Sequence, residues 1–321
     1  RDIRSTSELF VPKDYITYPM NYADPVFYKM FNSRKGFDIV ANFSAHKHVR
    51  SEKDKFSIEA LINNNVINAK KLLDKLTEYP PKHFFCVSTD KAANPVNIMG
   101  GSKKIMEEMI MSYSDKYPVT TARFANVAFS NGSLPAGFLE RISKNQPLSA
   151  PKDITRYFVS PQESGEICLL ACVIGKSGQI YFPKLKKEQV MTFSEIATKL
   201  LEQNNFTIDL CNSEKAAIEK TKNIKHGVYP VYFSKSDTSG EKSYEEFYTD
   251  DEQVNFERHI ALGVVTSHTP KKLSEINDLL FLLKSSFANE KMTKEDIVLI
   301  MKNFLINFDH KETGKSLDSK M

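Results

Sequence analysis

The sequence predicts an α/β protein: a doubly wound parallel sheet, a smaller α+β part and a helical C-terminal tail. Three observations carry that prediction. The runs "FDIVANFSA" (37–45), "HFFCVSTD" (83–90) and "VTTARFANV" (119–127) are dense in β-branched and aromatic residues, as buried strands are. Between the first two lies "FSIEALINNNVINAKKLLDKL" (56–76), whose apolar residues recur at helical spacing; after the second, a helix is expected from about Gly100 to Lys116. Strand, helix, strand at this spacing joins parallel neighbours, because a parallel pair needs a long crossover. Ligands of such sheets gather beyond the carboxyl ends of the strands. Ser44, Thr89, Asp90, Lys91 and Asn126 all fall on that rim.

Past residue 128 the pattern becomes mixed. "SNGSLPAGFLERISKNQPL" (130–148) offers a turn and a helix, and "ITRYFVSPQESGEICLLACVIG" a strand and a helix. "TFSEIATKLLEQ" (192–203) is a helix with Thr192 as its cap. Residues 204–258 read as polar and loop-rich. From about 270 two amphipathic helices follow, "KLSEINDLLFLLKSSF" and "KEDIVLIMKNFLINF". Helical tails of this kind pack on their own domain or on a sister subunit, so a homo-oligomer is expected. The expected division is 1–150 for the sheet with its catalytic rim, 151–265 for a ligand-binding part that returns some elements to the sheet, and 266–321 for the tail.

Composition narrows the classes. The chain has 321 residues, 41% hydrophobic and 26% charged, with a net charge of +4. That is an ordinary globular balance, far from the dense basic stripe of a nucleic-acid binder. No apolar run approaches the ~20 residues of a membrane span, and no signal peptide is visible. The four cysteines, at 86, 168, 172 and 211, match no zinc spacing, and no metal site is expected. Cys168 and Cys172 share a face of an apolar helix and read as buried small hydrophobes, consistent with a reducing cytoplasm.

The most informative stretch is "VSTDKAANPVNIMGGSKK", Val87 to Lys104. A strand ends in Ser88-Thr89-Asp90-Lys91, and the following helix carries Lys103 one turn beyond Met99. Many nicotinamide-dependent enzymes with this layout place a tyrosine where Met99 stands. A second departure is an absence: none of the 12 glycines forms the GxGxxG turn that seats a dinucleotide pyrophosphate at a helix N-terminus.

Five segments, in order, carry a family likeness: "DIVANFSAHKHV" (38–49), "NNVINAKKLL" (64–73), the Val87–Lys104 stretch, "ARFANVAFSNGSLPAGF" (122–138) and "DITRYF" (153–158). Together they resemble the extended short-chain dehydrogenase/reductases that act on nucleotide sugars, in the polysaccharide-biosynthesis branch typified by UDP-N-acetylglucosamine 4,6-dehydratases. The resemblance implies a Rossmann-like sheet whose first βαβ unit, with the glycine-rich loop, lies upstream of Arg1. It also implies a tightly held NAD, a UDP-sugar substrate, and a cytoplasmic location. "SDTSGEKSYEEFYT" and "HKETGKSLDSKM" look like the large members of that branch, which implies an upstream membrane region.

The resemblance assigns roles residue by residue. Asp90 protonates a departing C6 hydroxyl, Lys91 takes the C5 proton, and Thr89 hydrogen-bonds the C4 hydroxyl. Lys103 holds the nicotinamide ribose, and Met99 packs against nicotinamide or sugar. Ser44, Ala45, Asn65 and Ser88 line the cofactor, Asn65 by ordering the strands. Lys47, His48, Asn126, Arg156, Glu241 and Lys242 face the substrate. Among these, a guanidinium at Arg156 suits paired phosphate oxygens. Physical chemistry supports the acid–base roles only in part: Lys91 must fall well below its usual ~10.4, and adjacency to Asp90 opposes that.

Overall fold

The computed structural model describes residues 16–48, 52–186, 189–236, 245–267 and 269–312. Its chain opens with helix α1 (Pro25–Ser33) and strand β1 (Ile39–Asn42). A continuous helical run follows: α2 (Lys55–Ile62), a π-helical turn Asn63–Asn68, and α3 (Ala69–Leu76). Then come β2 (His83–Thr89), α4 (Ile98–Met111) and β3 (Val119–Phe124). These three strands are parallel neighbours, in register from Ile39↔His83 and from Phe84↔Val119. The expected alternation is therefore the one observed. The α4 helix begins and ends earlier than the reading of about Gly100 to Lys116; its start is set by Asn97, which caps it by accepting from the Gly100 amide at 2.7 Å.

Downstream elements are β4 (Asn126–Val127), α5 (Leu134–Ser143), β5 (Leu148–Pro151), β6 (Thr155–Val159), α6 (Pro161–Val173), β7 (Gln179–Pro183), β8 (Val190–Thr192) and α7 (Phe193–Gln203). β9 (Thr207–Leu210), α8 (Glu214–Glu219), β10 (Val228–Ser234), β11 (Gln253–Asn255) and β12 (Leu262–Ser267) precede the terminal helices α9 (Leu273–Phe287) and α10 (Lys294–Phe304). The main sheet runs β1-β2-β3-β7-β12-β11; its last two strands are antiparallel additions.

Two sequence readings need correction. The run 119–127 is two strands, since Ala125 breaks it and β4 pairs with β6 in a separate sheet. Residues 204–258 are not mostly loop: β9 and β10 form a parallel sheet with β5. Polar residues such as Asp209 and Tyr232 sit half-buried in these short strands, so the apolar signal there is diluted.

Each face of the main sheet has its own core. On one side Ile58, Leu61, Leu73, Ile105, Met109 and Leu283 belong to a single buried cluster that also takes Ile297 and Met301 from the tail. At roughly 1.5–3 kcal/mol per buried aliphatic side chain, this cluster dominates the stability of the fold. On the other side, Phe85, Ala122 and Tyr181 meet Ile167 and Ala171 of α6. Cys172 is buried and Cys168 half-buried there, and burial pushes both thiols up, so they behave as small hydrophobes. A third cluster, with Phe138, Leu148, Leu201 and Tyr229, holds the smaller part together.

The tail packs on its own chain. Gly101 of α4 lies so close to Met301 and Phe308 that a Cβ there would meet the Met301 methyl at 2.5 Å. At the opposite end, β1 pairs with β2 alone among the described residues. Beside that edge Ile39 and Phe43 are 53% and 57% exposed. No helix among the described residues is long and apolar enough to cross a membrane.

Candidate active site

The site is built where β2 ends. Thr89 is still extended, and a single 3-10 turn, Asp90–Ala92, then reverses the chain. Asp90 is turned inward, 3% exposed, whereas the Lys91 side chain keeps 27% of its surface in solvent. The Thr89 hydroxyl donates to Asp90 Oδ1 at 2.8 Å. Lys91 Nζ reaches both Asp90 oxygens, at 3.1 and 3.3 Å. Both of these groups donate to the Asp90 carboxylate.

Helix α4 is pressed against this turn. A Cβ on Gly100 would meet the Lys91 carbonyl at 2.7 Å, so only glycine permits this approach. Glu52 accepts from the Ile98 amide at 2.7 Å, a second anchor at the helix start. Lys103 is fully buried, and its ammonium donates to the Val87 carbonyl at 3.1 Å. Burial pushes it below the usual lysine range, against the pull of Cys86 and Glu107. Met99 is 2% exposed and belongs to the main hydrophobic cluster, so its side chain fills core.

Asn65 sits on the π-helical turn and has the partners that an asparagine inside a helix requires. Its side chain accepts from the His46 amide at 2.8 Å, and donates to the His46 carbonyl at 2.9 Å and the Ser102 hydroxyl at 3.0 Å. It therefore ties the loop after β1 to α4. On that loop Ser44 is exposed and Ala45 half-buried; Lys47 Nζ donates to Ser130 Oγ at 3.2 Å, and the His48 ring lies directly on Gly132. Ser88 points elsewhere: its hydroxyl donates to Glu107 at 2.5 Å, beneath the rim.

That glutamate belongs to a sealed ion cluster that sequence reading missed. Arg123, on β3 and 0% exposed, spends all five N–H donors, on Glu107, on Glu252 and on the Phe247 carbonyl, at 2.7–2.9 Å. Lys104 adds a contact to Glu252 at 3.6 Å. Arg123 and Lys104 outweigh burial and hold the Glu252 carboxyl down to about 2. The available signal was a lone charged residue in the strand run "VTTARFANV" and "EE" between the apolar "IM" and "MIM" of "KKIMEEMIM".

A further missed residue is Glu245. Its carboxylate accepts from the Tyr157 amide at 2.6 Å and from the Asn126 side-chain amide. Burial pushes it up to about 7, with the Asp90 charge adding to the rise; the Tyr157 N–H, Lys91 and Arg156 oppose it. The structure thus brings Asp90, Lys91, Asn126 and Arg156 around Glu245, with Thr89 bonded to Asp90. Arg156 is buried and donates to the Thr155 carbonyl at 2.9 Å. Glu241 and Lys242 lie outside the described residues. Among the described residues no group of three or more His, Cys, Asp or Glu is placed to hold a metal ion.

Known proteins resemble this chain. A family model described as "Polysaccharide biosynthesis protein" matches residues 27–266. The chain belongs to the polysaccharide biosynthesis protein family. Within it, the chain is 29% identical over 229 residues to the probable polysaccharide biosynthesis protein EpsC of Bacillus subtilis, covering 70% of this chain and 34% of that one. It is 32% identical over 159 residues to a UDP-glucose 4-epimerase of Rickettsia bellii, covering 48% and 46%. In structure it resembles DesIV, a dTDP-glucose 4,6-dehydratase from Streptomyces venezuelae with NAD bound, at TM-score 0.55 and 17% identity over 71% of this chain and 69% of that one. The chain thus spans a third to a half of these two curated relatives. The fold is the Rossmann-like one expected from the resemblance.

Proposed function

We propose that this chain carries the catalytic rim of a nucleotide-sugar 4,6-dehydratase that converts a UDP-N-acetylhexosamine, UDP-N-acetylglucosamine first among them, to its 4-keto-6-deoxy form. The observation that supports it most is the Thr89–Asp90–Lys91 array at the end of β2, with Lys103 behind it and Met99 one turn before that lysine. Epimerisation at C4 needs one acid–base group at O4, whereas elimination also needs a base for C5 and a donor for O6. An amine and a carboxylate in one cleft supply that surplus.

The residues present fit the nicotinamide end of NAD: Lys103 is a desolvated cation at the strand end, one turn from the core-filling Met99. They do not include a glycine-rich pyrophosphate turn. When bound, NAD supplies transient oxidation at C4. The chain's own residues do the rest. Thr89 orients the C4 hydroxyl and passes its proton to Asp90, to which it already donates; Met99 takes no part. The Lys91 amine, once parted from Asp90 by substrate, takes the C5 proton made acidic by the new ketone. Asp90 then returns the O4 proton to the departing C6 hydroxyl. Asn126 and Arg156 hold the sugar and diphosphate, with Lys47 and His48 beside them.

A second reading is an NDP-sugar 4- or 5-epimerase, which the Rickettsia bellii relative favours. Incubating the full-length protein with NAD and UDP-N-acetylglucosamine separates them by product mass. Loss of one water supports the dehydratase, an isobaric product the epimerase, and no product a sugar-nucleotide-binding domain.

A further inference from the structure

The loop that joins the catalytic turn to α4 is held by residues from the far end of the chain. Between the 3-10 turn Asp90–Ala92 and Ile98, residues 93–97 form neither helix nor strand. Pro95 and Val96 are buried there, so their carbonyls need donors. Those donors come from beyond α10. The chain leaves that helix at Leu305, sinks Leu305 and Phe308 into the main hydrophobic cluster, and runs alongside the loop. The Asp309 amide donates to the Pro95 carbonyl at 3.1 Å, and the Lys311 amide to the Val96 carbonyl at 3.0 Å. Gly101 lets this strap come close, since a Cβ there would meet Met301 and Phe308. Between the two bonds, the His310 side chain is 8% exposed and edge-on to Phe308. It lies 3.7 Å from Glu52, the residue that accepts from the Ile98 amide.

We propose, resting on the dehydratase reading, that the strap 305–311 is a positioning element of this active site. The turn carries Asp90 and Lys91, and α4 carries Lys103, so the chemistry needs these two pieces held at one separation. Gly100 sets how closely they approach. The strap, together with Glu52, pins the intervening loop and the helix start against sliding. No strap atom needs to touch substrate, because a misplacement of about 1 Å costs on the order of 100-fold in rate. The tail thereby does more than add core. It delivers two backbone N–H groups to the loop that follows the catalytic turn.

The test exploits two exposed side chains on bonded amides. The Asp309 and Lys311 side chains are 73% and 61% exposed, so alanine at either position removes surface atoms and keeps the N–H, whereas proline removes the N–H itself. With the full-length protein, NAD and UDP-N-acetylglucosamine, Asp309→Pro and Lys311→Pro should each lower kcat about 10- to 100-fold, with KM within about two-fold. Amide hydrogen exchange at residues 90–98 should quicken in both. Asp309→Ala and Lys311→Ala should match the wild type in all three readouts. A merely structural strap would lower the urea midpoint and leave kcat of the folded protein unchanged. Should a proline variant fail to fold, Glu52 provides a second pair. Glu52→Ala removes the acceptor of the Ile98 amide and should lower kcat likewise, whereas Glu52→Gln keeps an oxygen there and should stay near the wild-type rate. If the wild type makes no dehydrated product, the dehydratase reading falls and takes the catalytic consequence with it. An active wild type whose proline variants equal the alanine variants in kcat, or whose Glu52→Ala equals Glu52→Gln, overturns the positioning role alone.

Discussion

Glu245 and Glu252 leave the same short segment, both turn inward, and both lose water, yet one is pushed up to about 7 and the other held down to about 2. Burial alone would raise both. The difference lies in what each one meets. Glu252 meets the Arg123 fork in a bidentate pair at 2.7 Å, inside a cluster in which every guanidinium N–H is used. Glu245 meets a backbone amide, a side-chain amide and, across the rim, the carboxylate of Asp90. One environment is built to keep a charge and the other to let it change. The segment 245–252 thus ties the changing rim to a fixed anchor one layer below.

The largest way to break the rim is Lys91→Ala. Elimination should drop by about 10²–10⁴-fold, as loss of a positioned base does, while UDP affinity stays within a few-fold; product mass and nucleotide titration check both. Breaking the anchor should instead cost stability. Arg123→Leu leaves Glu107 and Glu252 buried with only the longer contacts to Lys104, at about 3–5 kcal/mol, read as a shift in the urea midpoint. The same substitution should narrow the contrast itself, because only Lys104 and the Thr249 N–H would then oppose burial at Glu252.

The pH dependence of folding sharpens the contrast further. Glu252 has a depressed native pKa, so its contribution is present above the ordinary glutamate value of 4.5 and is lost as pH falls toward about 2. Glu245 has a raised one, so the native state binds its proton more tightly and stability declines as pH climbs from 4.5 through about 7. Urea midpoints across pH 3–8 should therefore show an acid limb that Glu252→Gln removes and a shallow neutral decline that Glu245→Gln removes.

How much of this was legible beforehand differs between the same two layers. The strands and helices around Thr89–Asp90–Lys91 announce themselves, because apolar periodicity and a polar strand end are local signals. The resemblance reached Asn126 and Arg156 for the same reason: they sit in contiguous motifs. Arg123, Glu107 and Glu252 were not legible as a unit, since their meaning lies in contacts between residues far apart in sequence. Glu245 hid in a polar stretch read as loop, and nothing in its neighbours indicates that it folds back onto the Tyr157 amide. Ser88 shows the converse. Its place beside Thr89 suggested the cofactor, but alternation along β2 turns its hydroxyl to the buried Glu107.

The smallest effect tests whether the rim is held from its other side as well. Asn65 hydrogen-bonds the His46 backbone twice and Ser102 on α4 once, and accepts from the Asn64 side chain, from a π-helical turn that sets it off the regular helical register. π-turns recur at functional sites because they redirect a side chain that a regular helix would bury elsewhere. Asn65→Ala leaves the His46 amide and carbonyl without their partner, which costs about 1–3 kcal/mol. It should also release the loop bearing Ser44, Ala45, Lys47 and His48 without touching Asp90 or Lys91. The expected signature is faster amide hydrogen exchange at residues 44–48 and a weaker KM at nearly constant kcat. A fall in kcat with KM unchanged would instead place Asn65 in the chemistry, by way of Ser102 and the helix that carries Lys103.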